Sequence, residues 1–176
     1  MSDGYSGLFG AFPYAFRQSR SRLFRAYVVI GGLLAAILAM FFAFALVVAI
    51  ANTAGFGGGT ITFVRSVFLL LGFAVVAPLL APVLFVARHH RRTGDDQRYD
   101  FALAVTGGVY IVTLYLGAIA SMPAQFELDG EVTTRPEPTG LIAPLVDALY
   151  ALPEALSWTV PLVGVVLIYG VHRWLR

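Results

Sequence analysis

The chain contains no cysteine and no lysine, and only 12% of its 176 residues are charged. Without cysteine there are no disulfides, no thiol nucleophile, no Cys-ligated zinc and no cysteine-held iron–sulfur cluster. The same absence is silent about redox compartment, because a chain without thiols is indifferent to it. The shortage of charge says more. Soluble domains carry about 25% charged and about 45–50% apolar residues, whereas this chain is 59% hydrophobic with a mean hydropathy of +0.80. Phosphate-loop, zinc-protease and nucleophile–base signatures are also missing, which predicts a non-enzymatic, cofactor-free and metal-free protein. A net charge of +2, carried by arginines beside apolar runs, excludes a nucleic-acid-binding surface. Arginine in that position sets topology and meets anionic lipid head groups.

What the chain does have is apolar length. Tyr27–Ile50 (YVVIGGLLAAILAMFFAFALVVAI) contains no charge, amide or proline. As a helix it would extend about 36 Å, enough to cross a hydrocarbon core of about 30 Å. Ala49-Ile50-Ala51 matches a signal-peptidase pattern, but a signal h-region has only about 7–15 residues, so the run reads as a retained anchor. Three further spans are expected at about 63–87, 101–122 and 154–171. The predicted fold is all-α: a four-helix transmembrane bundle forming a single membrane domain over 1–176.

Ahead of the first span, Leu8, Phe9, Phe12 and Phe16 recur at helical spacing, followed by Arg17, Arg20, Arg22 and Arg25. That pattern suits either an interfacial helix, interrupted or kinked at Pro13, or a basic tail that holds the N-terminus inside. Within the first span, Gly31, Ala35, Ala39 and Ala43 form a small-xxx-small packing face. Asn52–Thr60, with Gly57-Gly58-Gly59, reads as a flexible connector without the lysine of a phosphate loop. Pro78 and Pro82 predict a kink in the second span, where freed carbonyls need new donors.

Arg88–Asp100 (RHHRRTGDDQRYD) reads as an inner loop. His89 and His90 point about 100° apart on a helix, and no nearby HxxxH or HxxE adds ligands, so a hydrated cationic collar is expected there rather than a metal site. Asp95, Asp96 and Asp100 are expected to offset the arginines with little gain in stability. In the third span Thr106, Tyr110, Thr113 and Tyr115 supply hydroxyls for packing or a polar track. Residues 123–140, with Glu127, Asp129, Glu131 and Glu137, read as an acidic loop without an apolar face. Leu141–Leu152 is too short to span and is expected as an outer-surface or partly re-entrant helix, after which Pro153 and Glu154 open the last span.

Ten arginines fall on one side of this topology (17, 20, 22, 25, 88, 91, 92, 98, 173 and 176), against Arg65 and Arg135 on the other. The positive-inside rule then puts both termini in the cytoplasm of a multi-pass cell-membrane protein. Arg65 is expected to approach Asp147 or Glu154 at the outer surface, because an ionisable group near lipid finds a partner. LFGAFPYAFRQSRSRLFR from Leu8 to Arg25, APLLAP in the second span and IYGVHR near the end resemble small four-span membrane proteins of halophilic archaea. That resemblance implies a fold and a source, and carries over no catalytic or binding residue. The leading functional expectation is an accessory or structural membrane protein that contacts a membrane partner or a second copy. The alternative is a small oligomeric channel or transporter lined by Thr106, Tyr110 and Thr113.

Overall fold

The computed structural model describes residues 7–55, 58–128 and 130–176, with the side chains of Thr60 and Leu128 excepted. Gly57 and Asp129, named above, lie outside the described residues. The regular elements run α1 Gly7–Gln18, α2 Arg22–Asn52, α3 Gly59–Thr93, α4 Gln97–Ala120, β1 Gln125–Leu128, β2 Glu131–Thr134, α5 Ala143–Tyr150 and α6 Thr159–Leu175. A 3₁₀ turn at Glu154–Leu156 precedes α6. The protein is all-α apart from one short hairpin among the described residues. Four segments are long and apolar enough to cross a membrane: Arg22–Asn52, Ile61–Thr93, Gln97–Ala120 and Glu154–Leu175.

Two compact units divide the chain. The first comprises the N-terminal part through Gly108 together with Ile168–Arg176; the second is Val109–Leu167.

In the first unit α1 is a continuous helix through Pro13, so the expected interruption there is not found. It lies on α3 and α2, with Ala11 and Ala15 fully buried and Phe9 89% exposed. The elbow to α2 is tightly bonded. The Ser19 hydroxyl accepts from Ser21 N–H (3.2 Å), Ser21 caps α2 by accepting from Phe24 N–H (3.3 Å), and Arg25 Nε donates to the Ser19 carbonyl (2.8 Å). A serine at this position satisfies one of the orphan donors of the first turn. The helix therefore starts five residues before the apolar run, at Arg22 rather than Tyr27.

Tyr27 organises the packing of α2, α3 and the start of α4. Its buried hydroxyl donates to the Leu79 carbonyl on α3 (2.8 Å). The carbonyl that Pro82 deprives of a helical donor is that of Pro78, four residues back, so the Tyr27 bond is an added contact between helices. α3 is unbroken through Pro78 and Pro82. The tyrosine ring fits because two neighbours are glycine. A Cβ on Gly107 of α4 would sit 2.4 Å from Tyr27 Cζ, and one on Gly31 would sit 3.1 Å away. Farther along, Gly72 of α3 gives room to Phe42 of α2, whose Cγ would be 3.0 Å from an added Cβ.

The small-residue face of α2 divides into two halves. Gly31 and Ala35 are buried against the rest of the unit, whereas Ala39 and Ala43 are exposed.

The second unit corrects two expectations. Gln125–Leu128 and Glu131–Thr134 pair as antiparallel strands, with Leu128 opposite Glu131. The sequence carries a signal for such pairing in its Asp-Gly dipeptide between Phe126 and Val132, and Gly130 has a positive φ (+85°). The predicted continuous helix from Glu154 is also broken. Pro161 has no N–H to give the Ser157 carbonyl, which accepts instead from Val160 N–H (3.2 Å), a 3₁₀-type bond. The α-helix then starts at Thr159. The short helix expected within 141–152 is present as α5, entered at Pro144.

Gly107→Ala is expected to cost about 1–3 kcal/mol by overpacking the Tyr27 ring, and Tyr27→Phe about 0.5–1.5 kcal/mol for the lost hydrogen bond. Denaturation in detergent micelles measures both. In the Gly107→Ala background the Tyr27→Phe change should have almost no further effect.

Candidate functional site

The chemistry-bearing residues of the first unit collect at one end, where α1 meets α2, α3 turns into α4, and α6 finishes. Gly94 ends α3 with a φ of +91°. Asp96 then caps α4, accepting from Arg98 N–H (3.0 Å) and Tyr99 N–H (3.1 Å). This tight turn brings residues ten apart in sequence face to face: His90 Nε2 lies 2.8 Å from Asp100 Oδ1. Both side chains are buried, that of Asp100 completely. The hydrated collar expected at the two histidines therefore does not describe His90, and Asp100 does not act as a solvated offset for arginines.

Around this pair the rings interlock. His89 stacks on Tyr99 (centroids 4.1 Å apart), His172 of α6 stacks on Phe85 of α3 (4.0 Å), and Tyr99 Oη is 2.6 Å from His172 Nδ1. Arg20 Nε meets Asp95 Oδ2 at 3.0 Å, joining the α1–α2 elbow to the α3–α4 turn. That last pair is largely solvent-exposed, a class worth about 0–1 kcal/mol.

One donor atom each from His90, Asp95 and Asp100 lies within 4.8 Å of the other two. As a metal site the set has poor support. Asp95 is already engaged by Arg20. The His90 Nδ1 atom has no hydrogen-bond partner, whereas a ligating histidine ordinarily donates its second N–H to an outer group. The surroundings carry Arg88, Arg91, Arg92 and Arg98, a field that repels a divalent cation. The geometry suits a buried hydrogen-bonded pair that fixes the turn.

Arg65 uses its guanidinium on the end of α2: Nη2 donates to the Thr53 hydroxyl (2.8 Å) and carbonyl (3.1 Å), and Nε reaches the same hydroxyl at 3.3 Å. Thr53 is the C-cap of α2, so the cation sits where the helix dipole is negative.

Asp147 and Glu154 belong to the second unit. There Asp147 lines an open pocket of about 400 Å³ with Arg135, Glu137 and Tyr150. Arg135 lies over the Tyr150 ring (3.9 Å) and donates to the Met122 carbonyl (3.3 Å), binding the hairpin exit to α5. The sequence alone gives Arg135 no role, and no local spacing signals this contact.

Two of the proposed pore hydroxyls bond to their own helix. Thr106 Oγ1 donates to the carbonyls of Ala102 and Leu103, and Thr113 Oγ1 to that of Tyr110. Within the second unit α6 presses close against this stretch, since a Cβ on Gly164 would be 2.6 Å from Thr113 Oγ1 and 2.8 Å from Tyr110 Cα.

The chain belongs to the family described as a domain of unknown function (DUF8056), whose model matches residues 1–176. No curated protein and no solved structure matches it.

Removing one member of the buried pair leaves the other without its hydrogen-bond partner, so Asp100→Ala should cost about 1–3 kcal/mol. The double change His90→Leu/Asp100→Leu should cost less than the sum of the single changes. A double-mutant cycle by chemical denaturation in micelles reads this directly; simple additivity would mean the pair is not coupled.

Proposed function

We propose that this is a multi-pass protein of the cell membrane, with both termini cytoplasmic, whose role is non-enzymatic. It acts as an accessory or structural subunit through helix contacts with a membrane partner or a second copy of itself. Membrane residence is supported by the outward faces of the long helices: Phe41, Phe44, Leu70 and Phe73 are all exposed, the last at 72%. Apolar patches beyond a few hundred Å² are rare on soluble monomers, and here they run along helices of membrane-spanning length. The orientation is supported by the ten arginines gathered at one side of the topology. The resemblance to small four-span proteins of halophilic archaea agrees with this reading.

The observation that carries the contact role is an open apolar groove of about 490 Å³ in the first unit. α1, α2 and α3 line it with residues that include Phe9, Phe12, Leu33, Ala39 and Leu80. Beside it runs the exposed half of the small-residue face, Ala39 and Ala43. A partner helix laid there would bring its backbone close to α2, as small-xxx-small faces permit. The channel reading has less support, because the Thr106 and Thr113 hydroxyls it needs are bonded within their own helix.

Gentle extraction followed by mass measurement of the intact complex should yield either a stoichiometric second protein or a homo-oligomer. Ala39→Leu/Ala43→Leu should dissociate it without unfolding the chain, since both sites are exposed. A lone monomer, unchanged by those substitutions, would sink the contact reading. The cysteine-free sequence allows a direct topology test with a membrane-impermeant maleimide. Thr139→Cys should label in intact cells and Gln97→Cys only after permeabilisation; the reverse pattern would overturn the orientation.

A further inference from the structure

Between the last turns of α3 and α6, within the first unit, lies a small cavity of about 80 Å³. Its walls carry Arg88, Arg92 and Arg176, the rings of His89 and His172, and Thr93. We propose that it is a binding site for a phosphate group, presented by an anionic lipid headgroup or by free phosphate.

Charge is the first argument. Arg88 and Arg92 are four residues apart on one helix face, where like charges repel, and Arg176 adds a third cation. None of these three makes an ion pair among the described residues. The acids of the neighbouring turn are otherwise engaged: Asp95 on Arg20, Asp100 on His90, and Asp96 on the first N–H groups of α4. Arginines at helix C-termini are expected from the helix dipole, but the dipole gives no reason for two helices to direct theirs at one cavity. A bound anion does.

The second argument is preorganisation. His172 is held by stacking on Phe85 and by its 2.6 Å bond to Tyr99 Oη. His89 is fixed by stacking on Tyr99. The Thr93 hydroxyl donates to the His89 carbonyl (2.9 Å), so the donors for an anion are those of the arginines and the rings.

Size narrows the ligand. The volume equals that of roughly two to three water molecules, room for a phosphate group and far below the roughly 300–1,000 Å³ of a site that encloses a whole small molecule. Guanidinium forks match phosphate oxygens in pairs. The site also lies where apolar helices give way to charge, the depth of a phosphodiester headgroup. That last point rests on the membrane reading; the cavity chemistry does not.

The test uses the full chain in detergent, probed by native mass spectrometry with phosphatidylglycerol, with phosphatidylcholine, and with inorganic phosphate followed by melting temperature. The expected result is retention of phosphatidylglycerol over phosphatidylcholine, with affinity about tenfold or more lower in Arg88→Gln/Arg92→Gln. Arg176→Gln, at an exposed position, should weaken it in the same direction. Arg22→Gln, outside the cavity, should change nothing. If inorganic phosphate raises the melting temperature and displaces the lipid, the site takes free phosphate; if phosphate is inert while phosphatidylglycerol stays bound, the ligand is the lipid. Equal retention in wild type and both cavity variants, or no effect of either anion, overturns the proposal. Recovery of the chain in the soluble fraction would remove the membrane reading while leaving the inorganic phosphate arm to decide the site.

Discussion

In an apolar environment every polar group must find its partner inside the chain, because no water is available to replace it. The contacts along the long helices are of the kind this constraint demands. Thr106, Thr113 and Ser66 return their hydroxyls to carbonyls of their own helix. Tyr27 spends its hydroxyl on the Leu79 carbonyl of a neighbouring helix. Arg65, the one arginine near the α2–α3 connection, closes the end of α2 instead of standing free. Apolar side chains are released from this duty, and they form the outward surface.

The ionisable groups are sorted by the same rule. They are kept off the middle of each long helix and gathered at its ends, where neighbours from other elements neutralise or orient them. Acids are few at the basic end, and all three are engaged. Asp100 locks a buried histidine, Asp96 caps α4, and Asp95 meets the elbow arginine. Arginine is left in excess. An end so charged attracts anions and repels divalent cations, which is why the donor trio of His90, Asp95 and Asp100 is better understood as a structural pair with a neighbour than as a metal centre.

Glycine and proline punctuate the packing at a few decisive places. Gly107 makes room for the Tyr27 ring, and Gly164 lets α6 approach Tyr110 and Thr113. Pro161 moves the start of α6 to Thr159 by depriving the Ser157 carbonyl of a helical donor. Such effects act through a missing atom rather than an added contact, and substitutions there are felt across two helices.

The helical class, the four apolar segments and the rough positions of α1 and α5 are legible in the amino-acid order, because they depend on local length, spacing and apolar content. The strand pair is encoded there too, in the Asp-Gly dipeptide between Phe126 and Val132, a local signal masked by the acidity around it. The remaining contacts arise only in the folded chain. His90 meets Asp100, Tyr99 meets His172 and Tyr27 meets Leu79 across 10, 73 and 52 positions. Such partners are selected by the way helix ends and faces come together in space, and no periodicity within a single helix encodes them. The same holds for the three arginines of the cavity: charge counting finds them, but only the convergence of α3 and α6 makes them neighbours.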